Sequence, residues 1–293
     1  MVRQKSMSHQ LSVMGIRMKV LVIMGSPRKS GNSYRITKRI EEKMKELDPS
    51  LEFVYLFLRD SHLELCQGCG LCLNHGENRC PLRDDRKDLE KQMLDSNGVI
   101  FVSPVYAMNV TAIMKNFLDR FAYTLHRPRF FDQHALIVCT TGAVGLKEAI
   151  DRLSVIKFAG FNLVHSAGFV TPASCVSRKS KNIIDSDILN AANRFYSAMV
   201  AREPAPPGLI NLIAFRSQQA AFALSHEYHL SDCDYLYFQE KGWLDEKRQY
   251  YIDAKVNPLK GFVSLIIGKW VRRSMVKELQ GVPWYPFASR VEK

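Results

Sequence analysis

The densest set of chemically capable side chains lies in the stretch KVLVIMGSPRKSGNS, residues 19–33. An apolar run rich in Val and Ile precedes Gly25, and a helical pattern begins directly after the stretch. Hydroxyls, an amide and two cations stand between them. Free backbone N–H groups and the dipole of the following helix both point at a loop in this position. The sequence therefore predicts an anion site, with candidate ligands Ser26, Arg28, Ser30, Asn32 and Ser33.

The composition of this loop restricts the anion that it can bind. The loop lacks the G-x-x-x-x-G-K-[ST] pattern of nucleoside-triphosphate sites and the G-x-G-x-x-G pattern of dinucleotide sites. A hydroxyl-rich loop of this kind suits a single terminal phosphate. The alternative is an ordinary Ser-rich turn between a strand and a helix.

Four of the seven cysteines fall within fifteen residues and form a second candidate site. Their spacing is C-x2-C-x2-C-x7-C, and Pro81 follows the last of them. Two successive C-x2-C steps place three thiolates on a tight curl, in which Gly68 and Gly70 permit positive φ. Bacterial ferredoxins use a similar run with a shorter last gap. A structural zinc site, a disulfide pair and a motif without a metal are the alternatives, although zinc ligands more often form two separated pairs. The candidate metal ligands are Cys66, Cys69, Cys72 and Cys80.

Two further loops carry residues that suit a flat ring. Pro104 and Tyr106 offer apolar faces after the third predicted strand, and the backbone of that loop can hydrogen-bond a ring edge. Thr141 and Gly142 are small residues after the fourth strand, where they allow close approach. A surface aromatic and a common turn are the alternatives. Val105 and Asn109 complete the candidate ring contacts.

Strand and helix patterns alternate five times and provide the frame for these loops. The sequence predicts strands over residues 19–24, 51–58, 98–103, 134–140 and 162–170. Predicted helices include residues 111–123, 147–158 and 183–202. This alternation indicates a parallel sheet with helices on both faces. Ligands of such sheets bind beyond the carboxyl ends of the strands, and the loops after strands one, three and four lie there.

Composition and charge limit the possible partners. The 293 residues, 46% of them hydrophobic, are typical of a globular protein, and the net charge of +12 favours phosphorylated cofactors or other acidic partners. We predict no nucleic-acid partner, because no helix-turn-helix, finger or RNA-binding signature is present. No apolar run reaches the ~18 residues of a membrane span, and the N-terminus lacks the apolar core of a signal peptide. An odd cysteine count without a secretion signal favours a reducing cytoplasm.

These motifs resemble a known family. G-S-P-R-K-S-G-N-S, opened by M-K-V-L-V-I, resembles the FMN loop of the flavodoxin-like NAD(P)H-dependent FMN reductases. S-P-V-Y followed by M-K-N-F-L-D-R resembles their flavin-ring segment. The cysteine run resembles the compact cluster motif of iron-sulfur flavoproteins, a branch of the same family. The resemblance covers about residues 18–200.

The resemblance implies a fold, cofactors and a function. The fold is a flavodoxin-like, doubly wound, five-stranded parallel sheet of order 2-1-3-4-5, with a mostly helical C-terminal extension. The function is an NAD(P)H-dependent oxidoreductase that binds FMN and passes electrons between flavin and a [4Fe-4S] cluster. The electron acceptor is a small molecule or a protein, and a homodimer or homotetramer is expected. The alternative is a non-enzymatic electron carrier or redox sensor supplied by a partner protein.

The chain is expected to have three parts. Residues 1–17 form a tail, residues 18–203 the FMN-binding domain with the cysteine loop at 66–80, and residues 204–293 the extension after a Pro-rich linker. Residues 259–279 form an amphipathic helix with five basic side chains. We expect its apolar side to pack on the chain's own domain, beside the flavin, or on a second subunit. The alternative is peripheral contact with an anionic membrane. The apolar side comprises Leu259, Phe262, Val263, Ile266, Trp270 and Val271.

Overall fold

The structure, a computed structural model, describes residues 17–172 and 176–280. The predicted N-terminal tail lies outside the described residues except for Arg17. The chain divides into two compact units between Ala205 and Pro206.

The first unit is built on one parallel sheet of five strands in the order β2-β1-β3-β4-β5. Every residue of β3 and β4 is buried, because helices cover both faces of the sheet, so these strands are almost continuously apolar. The order confirms the predicted flavodoxin-like sheet. The strands are β1 (Lys19–Met24), β2 (Glu52–Phe57), β3 (Gly98–Pro104), β4 (His134–Thr141) and β5 (Asn162–Val170).

Helices on the two faces bury two separate apolar clusters. One cluster joins Val20 and Val22 to the first and last helices of the unit, and the other joins Leu21 and Ile23 to helices between β2 and β4. The alternation of strand side chains between the two sheet faces produces this division. The helices are α1 (Asn32–Leu47), α2 (Leu71–Asn74), α3 (Arg86–Leu94), α4 (Ala112–Arg120), α5 (Tyr123–His126), α6 (Leu146–Leu153) and α7 (Arg178–Ala201).

Three predicted helix boundaries were wrong. The helix predicted over residues 111–123 ends at Arg120, and α5 begins separately at Tyr123. The helix predicted over residues 147–158 becomes a 3-10 helix from Ser154. Helix α7 begins five residues earlier than predicted, because the hydroxyl of Ser177 accepts a hydrogen bond from the Ser180 N–H and caps it.

The second unit is helical, as predicted. It contains α8 (Leu209–Glu227), α9 (Cys233–Glu240) and α10 (Pro258–Leu279). Helices α8 and α10 pack closely, since a Cβ added to Gly268 would lie 2.8 Å from the Cβ of Arg216. Within the described residues, no helix is both long and apolar enough to cross a membrane.

Candidate functional site

The candidate site begins where β1 ends, beside β3. The Gly25 N–H donates to the carbonyl of Val102 at 2.7 Å, and Thr111 Oγ1 donates to the Gly25 carbonyl at 2.6 Å. A Cβ at Gly25 would lie only 2.7 Å from Met114 Cε, so the close approach of α4 to β1 requires glycine. Strand order reverses between β1 and β3, and this reversal is the position at which ligands bind in such sheets.

The predicted anion loop has free donors. Ser26 is buried, and its hydroxyl both donates to the Arg28 carbonyl and accepts from the Arg28 N–H, which holds the loop in a tight turn. Helix α1 follows with Gly31 as its N-cap and without a side-chain cap hydrogen bond. The N–H groups of its first turn therefore remain available to an anion. Arg28 is exposed and forms no ion pair within the part of the chain that the structure describes.

Hydrogen bonds join this loop to the neighbouring strand ends. Ser33 Oγ lies 2.7 Å from Thr140 Oγ1 in a buried contact with β4. Asn32 Nδ2 donates to the carbonyl of Thr171, which follows β5. The sequence gives no local signal of either contact, because Asn32 and Thr171 are 139 positions apart and Ser33 and Thr140 are 107 positions apart.

The loop after β3 contains a reverse turn in an unusual conformation. The N–H and carbonyl groups of Tyr106 and Asn109 exchange two hydrogen bonds across the turn. Its central residues, Ala107 and Met108, have φ of 48° and 61°, although turns of this kind favour glycine or asparagine. Such backbone strain persists where the surrounding structure holds it, often at functional sites. The Val105 N–H donates to the Thr140 carbonyl and anchors the loop to β4.

The loop after β4 leaves open space at Gly142. Thr141 Oγ1 donates to the Val144 carbonyl at 2.6 Å, so the Thr141 side chain shapes its own loop. A Cβ at Gly142 would meet nothing within 4 Å. β1, β3 and β4 are neighbours in the sheet, so the candidate phosphate residues and the candidate ring residues follow adjacent strands at its carboxyl edge. Pro104 itself is the last, buried residue of β3.

All four predicted metal ligands line one cavity of about 310 Å³. They are Cys66, Cys69, Cys72 and Cys80, and none of them forms a disulfide. Gly68 and Gly70 have φ of 65° and 72°, the positive values that the tight curl requires. Burial raises the pKa of the Cys72 thiol, and the nearby Cys80 and Cys66 thiolates raise it further. The thiols are therefore close enough to interact electrostatically.

The spacing of these thiols does not suit a single ion. In the described residues, no three His, Cys, Asp or Glu side chains are grouped closely enough to hold one metal ion. Tetrahedral zinc with Zn–S bonds of ~2.3 Å would need sulfur atoms roughly 3.8 Å apart. Four thiols that line one cavity are the kind of donor set that iron-sulfur clusters use, in which each thiolate binds a different iron atom.

Asn116 connects the cysteine loop to the flavin-ring segment. It lies on α4, its Oδ1 accepts from the Cys66 N–H at 3.0 Å, and its Nδ2 donates to the carbonyls of Leu63 and Glu64. Because α4 follows the loop after β3, one helix positions both candidate sites. Asn116 falls inside the M-K-N-F-L-D-R motif, but an amide on a helix gives no signal of its partners.

A buried ionic network supports the cysteine cavity. Arg127 donates to the Cys72 carbonyl at 2.5 Å and to Glu77, and Arg129 also pairs with Glu77. Burial alone would raise the pKa of the Glu77 carboxyl, but Arg129 and Arg127 outweigh burial and hold the pKa below its usual range. Arg86, Arg120, Asp84 and Glu90 complete the network.

The fold and the site define a class: flavodoxin-like α/β proteins with a Ser-rich loop and a helix start without a side-chain cap at the β1/β3 switch point. The family model described as NADPH-dependent FMN reductase matches residues 18–174. An iron-sulfur flavoprotein of Archaeoglobus fulgidus is 32% identical over 235 residues, 78% of this chain and 100% of that protein. The chain therefore belongs to the NADPH-dependent FMN reductase family, and the predicted class of FMN-dependent oxidoreductase is confirmed.

Other similar proteins match over shorter stretches. An iron-sulfur flavoprotein of Clostridioides difficile is 32% identical over 152 residues, which cover 52% of this chain and 64% of that protein. Several archaeal iron-sulfur flavoproteins match over about half of their own length. The crystal structure of azoreductase AzrA is 15% identical, with a TM-score of 0.49, and the match covers 61% of this chain and 99% of that one.

Proposed function

We propose that the anion loop holds the phosphate of FMN. The observation that supports this proposal is that no side chain caps the start of α1. The loop directly before this helix contains the buried Ser26 and the exposed Arg28. First-turn N–H groups and a guanidinium are donors that suit a terminal phosphate. The proposed phosphate ligands are Ser26, Arg28, Ser30, Asn32 and Ser33.

The flavin ring is proposed to lie against the loops after β3 and β4. Two backbone hydrogen bonds hold the turn between Tyr106 and Asn109, and the Tyr106 side chain is 40% exposed, so one apolar face is accessible. The open space at Gly142 allows a ring to approach the backbone. The proposed ring contacts are Pro104, Val105, Tyr106, Asn109, Thr141 and Gly142.

Arg28→Ala tests the phosphate site. Loss of one charge-assisted hydrogen bond on an exposed loop should weaken FMN binding by roughly tenfold, measured by fluorescence titration of the flavin-free protein. Riboflavin, which lacks the phosphate, should bind equally to the variant and the wild type. Arg152→Ala, which removes an exposed arginine at the far end of α6, is the control. Unchanged FMN affinity in both Arg28→Ala and Ser33→Ala would refute the assignment.

The four cysteines are proposed to ligate one [4Fe-4S] cluster. Their shared cavity of about 310 Å³, their thiol donor set and the positive φ of Gly68 and Gly70 support this ligand set. The names of the similar iron-sulfur flavoproteins support it independently. The proposed ligands are Cys66, Cys69, Cys72 and Cys80.

The chain's own residues have distinct tasks in this proposal. When bound, the flavin supplies a two-electron hydride acceptor and the cluster a one-electron acceptor. The uncapped end of α1 binds the phosphate, and the turn at residues 106–109 orients the ring. Asn116 holds the start of the cysteine loop against α4. The buried Arg127, which donates to the Cys72 carbonyl, offsets the negative charge of the thiolates.

Cofactor counting tests the cluster. Protein purified without oxygen should contain iron and sulfide in equal amounts, roughly four of each per chain, together with FMN. Cys69→Ser should lose the iron, whereas Cys233→Ser, in the second unit, should retain it. Full flavin occupancy without iron or sulfide would show that the cysteine motif carries no cluster.

NAD(P)H is the proposed electron source, and a small molecule or a protein the proposed acceptor. Anaerobic addition of NADH or NADPH should bleach the absorbance of the bound flavin. If neither reduces the flavin, the alternative of an electron carrier supplied by a partner protein is favoured.

We further propose that residues 18–203 form the FMN-binding domain and that residues 204–293 form its extension. The assembly is proposed to be a homodimer or a homotetramer, and light scattering measures its mass.

A further inference from the structure

Arg120 is a buried cation whose role the proposed function leaves open. It ends helix α4, its side chain is 2% exposed, and its Nη2 donates to Asp84 Oδ1 at 2.8 Å. Among the described residues, its Nη1 is buried and has no hydrogen-bond partner. A buried donor without a partner costs free energy, so this atom indicates a ligand that the described chain does not supply.

Arg120 lines the same cavity as the four cysteines. The carboxylates nearby are already engaged. Asp84 also accepts hydrogen bonds from the backbone N–H groups of Glu64 and Arg86, and Asp119 pairs with Lys115. The Arg86 guanidinium, which also lines the cavity, donates to Glu90, Tyr123 and the Glu77 carbonyl. Nη1 of Arg120 is therefore a donor that a sulfur-rich, negatively charged group can use.

We propose that Arg120 Nη1 donates a hydrogen bond to a sulfur atom of the cluster and raises its reduction potential. This inference rests on the proposed cluster. Reduction by an external one-electron donor, such as dithionite in a titration, adds one negative charge to the cluster. A buried cation and N–H donor stabilise the more negative form more than the oxidised form, and burial limits screening by solvent.

A charge-neutral double variant isolates the hydrogen bond. Asp84→Asn combined with Arg120→Met removes one charge of each sign, so no uncompensated buried charge remains. We expect the ratio of reduced to oxidised cluster at a given potential to fall at least tenfold, which is about 59 mV for a one-electron couple. Redox titration with detection of the reduced cluster by electron paramagnetic resonance measures this shift.

Two further variants complete the design. Arg120→Lys keeps the charge and can keep the Asp84 pair, so its potential should lie between those of the wild type and the double variant. Arg152→Met, the exposed control, should leave the potential unchanged. Wild-type potentials in both Arg120 variants at full iron content would overturn the inference. Absence of iron from the wild-type protein would overturn the proposed cluster as well, and the iron count distinguishes the two failures.

The exposed side of α10 carries a second inference, independent of the cofactors. Helix α10 packs through Ser264 and Gly268, which are buried, rather than through its large apolar side chains. Leu259, Phe262, Ile266 and Trp270 are each more than half exposed. The other helices of the second unit therefore do not cover these four side chains.

Basic residues continue the same side of the helix. Lys269, Arg273 and Lys277 are exposed, and their spacing from Phe262, Ile266 and Trp270 by three, four or seven positions places them on one helical side. These three cations form no ion pair within the described part of the chain. If the same side of a second copy of the helix packed here, it would supply apolar and basic groups only. It would supply no carboxylate to pair with the three cations.

We propose that this side of α10 binds an anionic lipid surface. Exposed Phe, Ile, Leu and Trp side chains enter the interfacial region, and the cations bind anionic headgroups. The full chain should bind vesicles that contain phosphatidylglycerol at low salt and lose at least tenfold in affinity for pure phosphatidylcholine. The double variant Phe262→Ala/Trp270→Ala should bind the phosphatidylglycerol vesicles at least tenfold more weakly than the wild type. Leu236→Ala, which removes an exposed apolar side chain of α9, is the control and should bind like the wild type. Absence of vesicle binding, or a dimer that the same double variant dissociates, would overturn this proposal.

Discussion

Asn116→Ala should loosen the start of the cysteine loop without unfolding the protein. The Asn116 amide forms three hydrogen bonds with residues 63–66, at 3.0, 3.2 and 3.1 Å. These are ordinary N–H···O distances, so each bond contributes roughly 0.5–1 kcal/mol. The sum is about 1.5–3 kcal/mol of local stability. Since 1.4 kcal/mol is a factor of ten, the loop should open roughly 10- to 150-fold more often.

Hydrogen exchange measures this opening directly. The Cys66 N–H is protected by the side-chain Oδ1 of Asn116, so its exchange in the native state should accelerate by the same roughly 10- to 150-fold. Amides of β1, which are buried in the sheet centre, should change much less.

Asn97→Ala provides the matched control. Asn97 Oδ1 accepts one hydrogen bond from the Lys19 N–H, at the opposite edge of the sheet from the cysteine loop. The Asn97→Ala variant should lower the free energy of unfolding by about 1 kcal/mol, but it should not accelerate exchange of the Cys66 N–H more than that of other amides. Equal exchange of Cys66 in wild type and Asn116→Ala would refute the role assigned to Asn116.

Three further predictions concern the frame of the site. Gly25→Ala should lower the free energy of unfolding by roughly 1–3 kcal/mol, because the added methyl group would collide with Met114. Gly142→Ala places its methyl group in open space and should change the free energy of unfolding by less than about 0.5 kcal/mol. Equal urea midpoints for the two variants would contradict this prediction. Met108→Gly should stabilise the protein by about 0.5–1 kcal/mol, because glycine accepts φ of 61° without strain; a lower thermal midpoint would argue against strain in this turn. Burial lowers the pKa of His134 below its ordinary 6.5, so the unfolded chain binds the proton more readily and stability is lost as pH falls below about 6.5. His134→Gln should flatten this part of the stability profile, and parallel profiles between about pH 7 and 5 would contradict the assignment.

The local pattern of the sequence was sufficient for the sheet and for the positions of the candidate loops. Strands buried on both faces must be continuously apolar, so β1, β3 and β4 were recognisable without knowledge of their neighbours. Right-handed crossovers between parallel strands then allow few orders, and the family resemblance selected the one that is found. The cysteine spacing likewise predicted a shared site, because residues two and three positions apart on a tight curl must stay close.

Helix periodicity was less decisive. It predicted that α10 has an apolar side, but a period of 3.6 residues does not say whether that side meets a partner. The small residues Ser264 and Gly268 allow α8 to approach, and this close backbone packing decides which side of α10 is buried. The large apolar residues on the other side remain exposed.

Only the tertiary structure decided which distant residues complete the site. Ser33 meets Thr140 across 107 positions, and Asn116 meets Cys66 across 50, through polar side chains that have many possible partners in an unfolded chain. Arg120 is on a helix end, where the sequence alone is equally consistent with a solvated charge; its burial and its pairing with Asp84 depend on how α4 meets the cysteine loop. Chain-local patterns therefore determined the sheet and the loops, whereas long-range hydrogen bonding and burial determined the environment of the chemical groups.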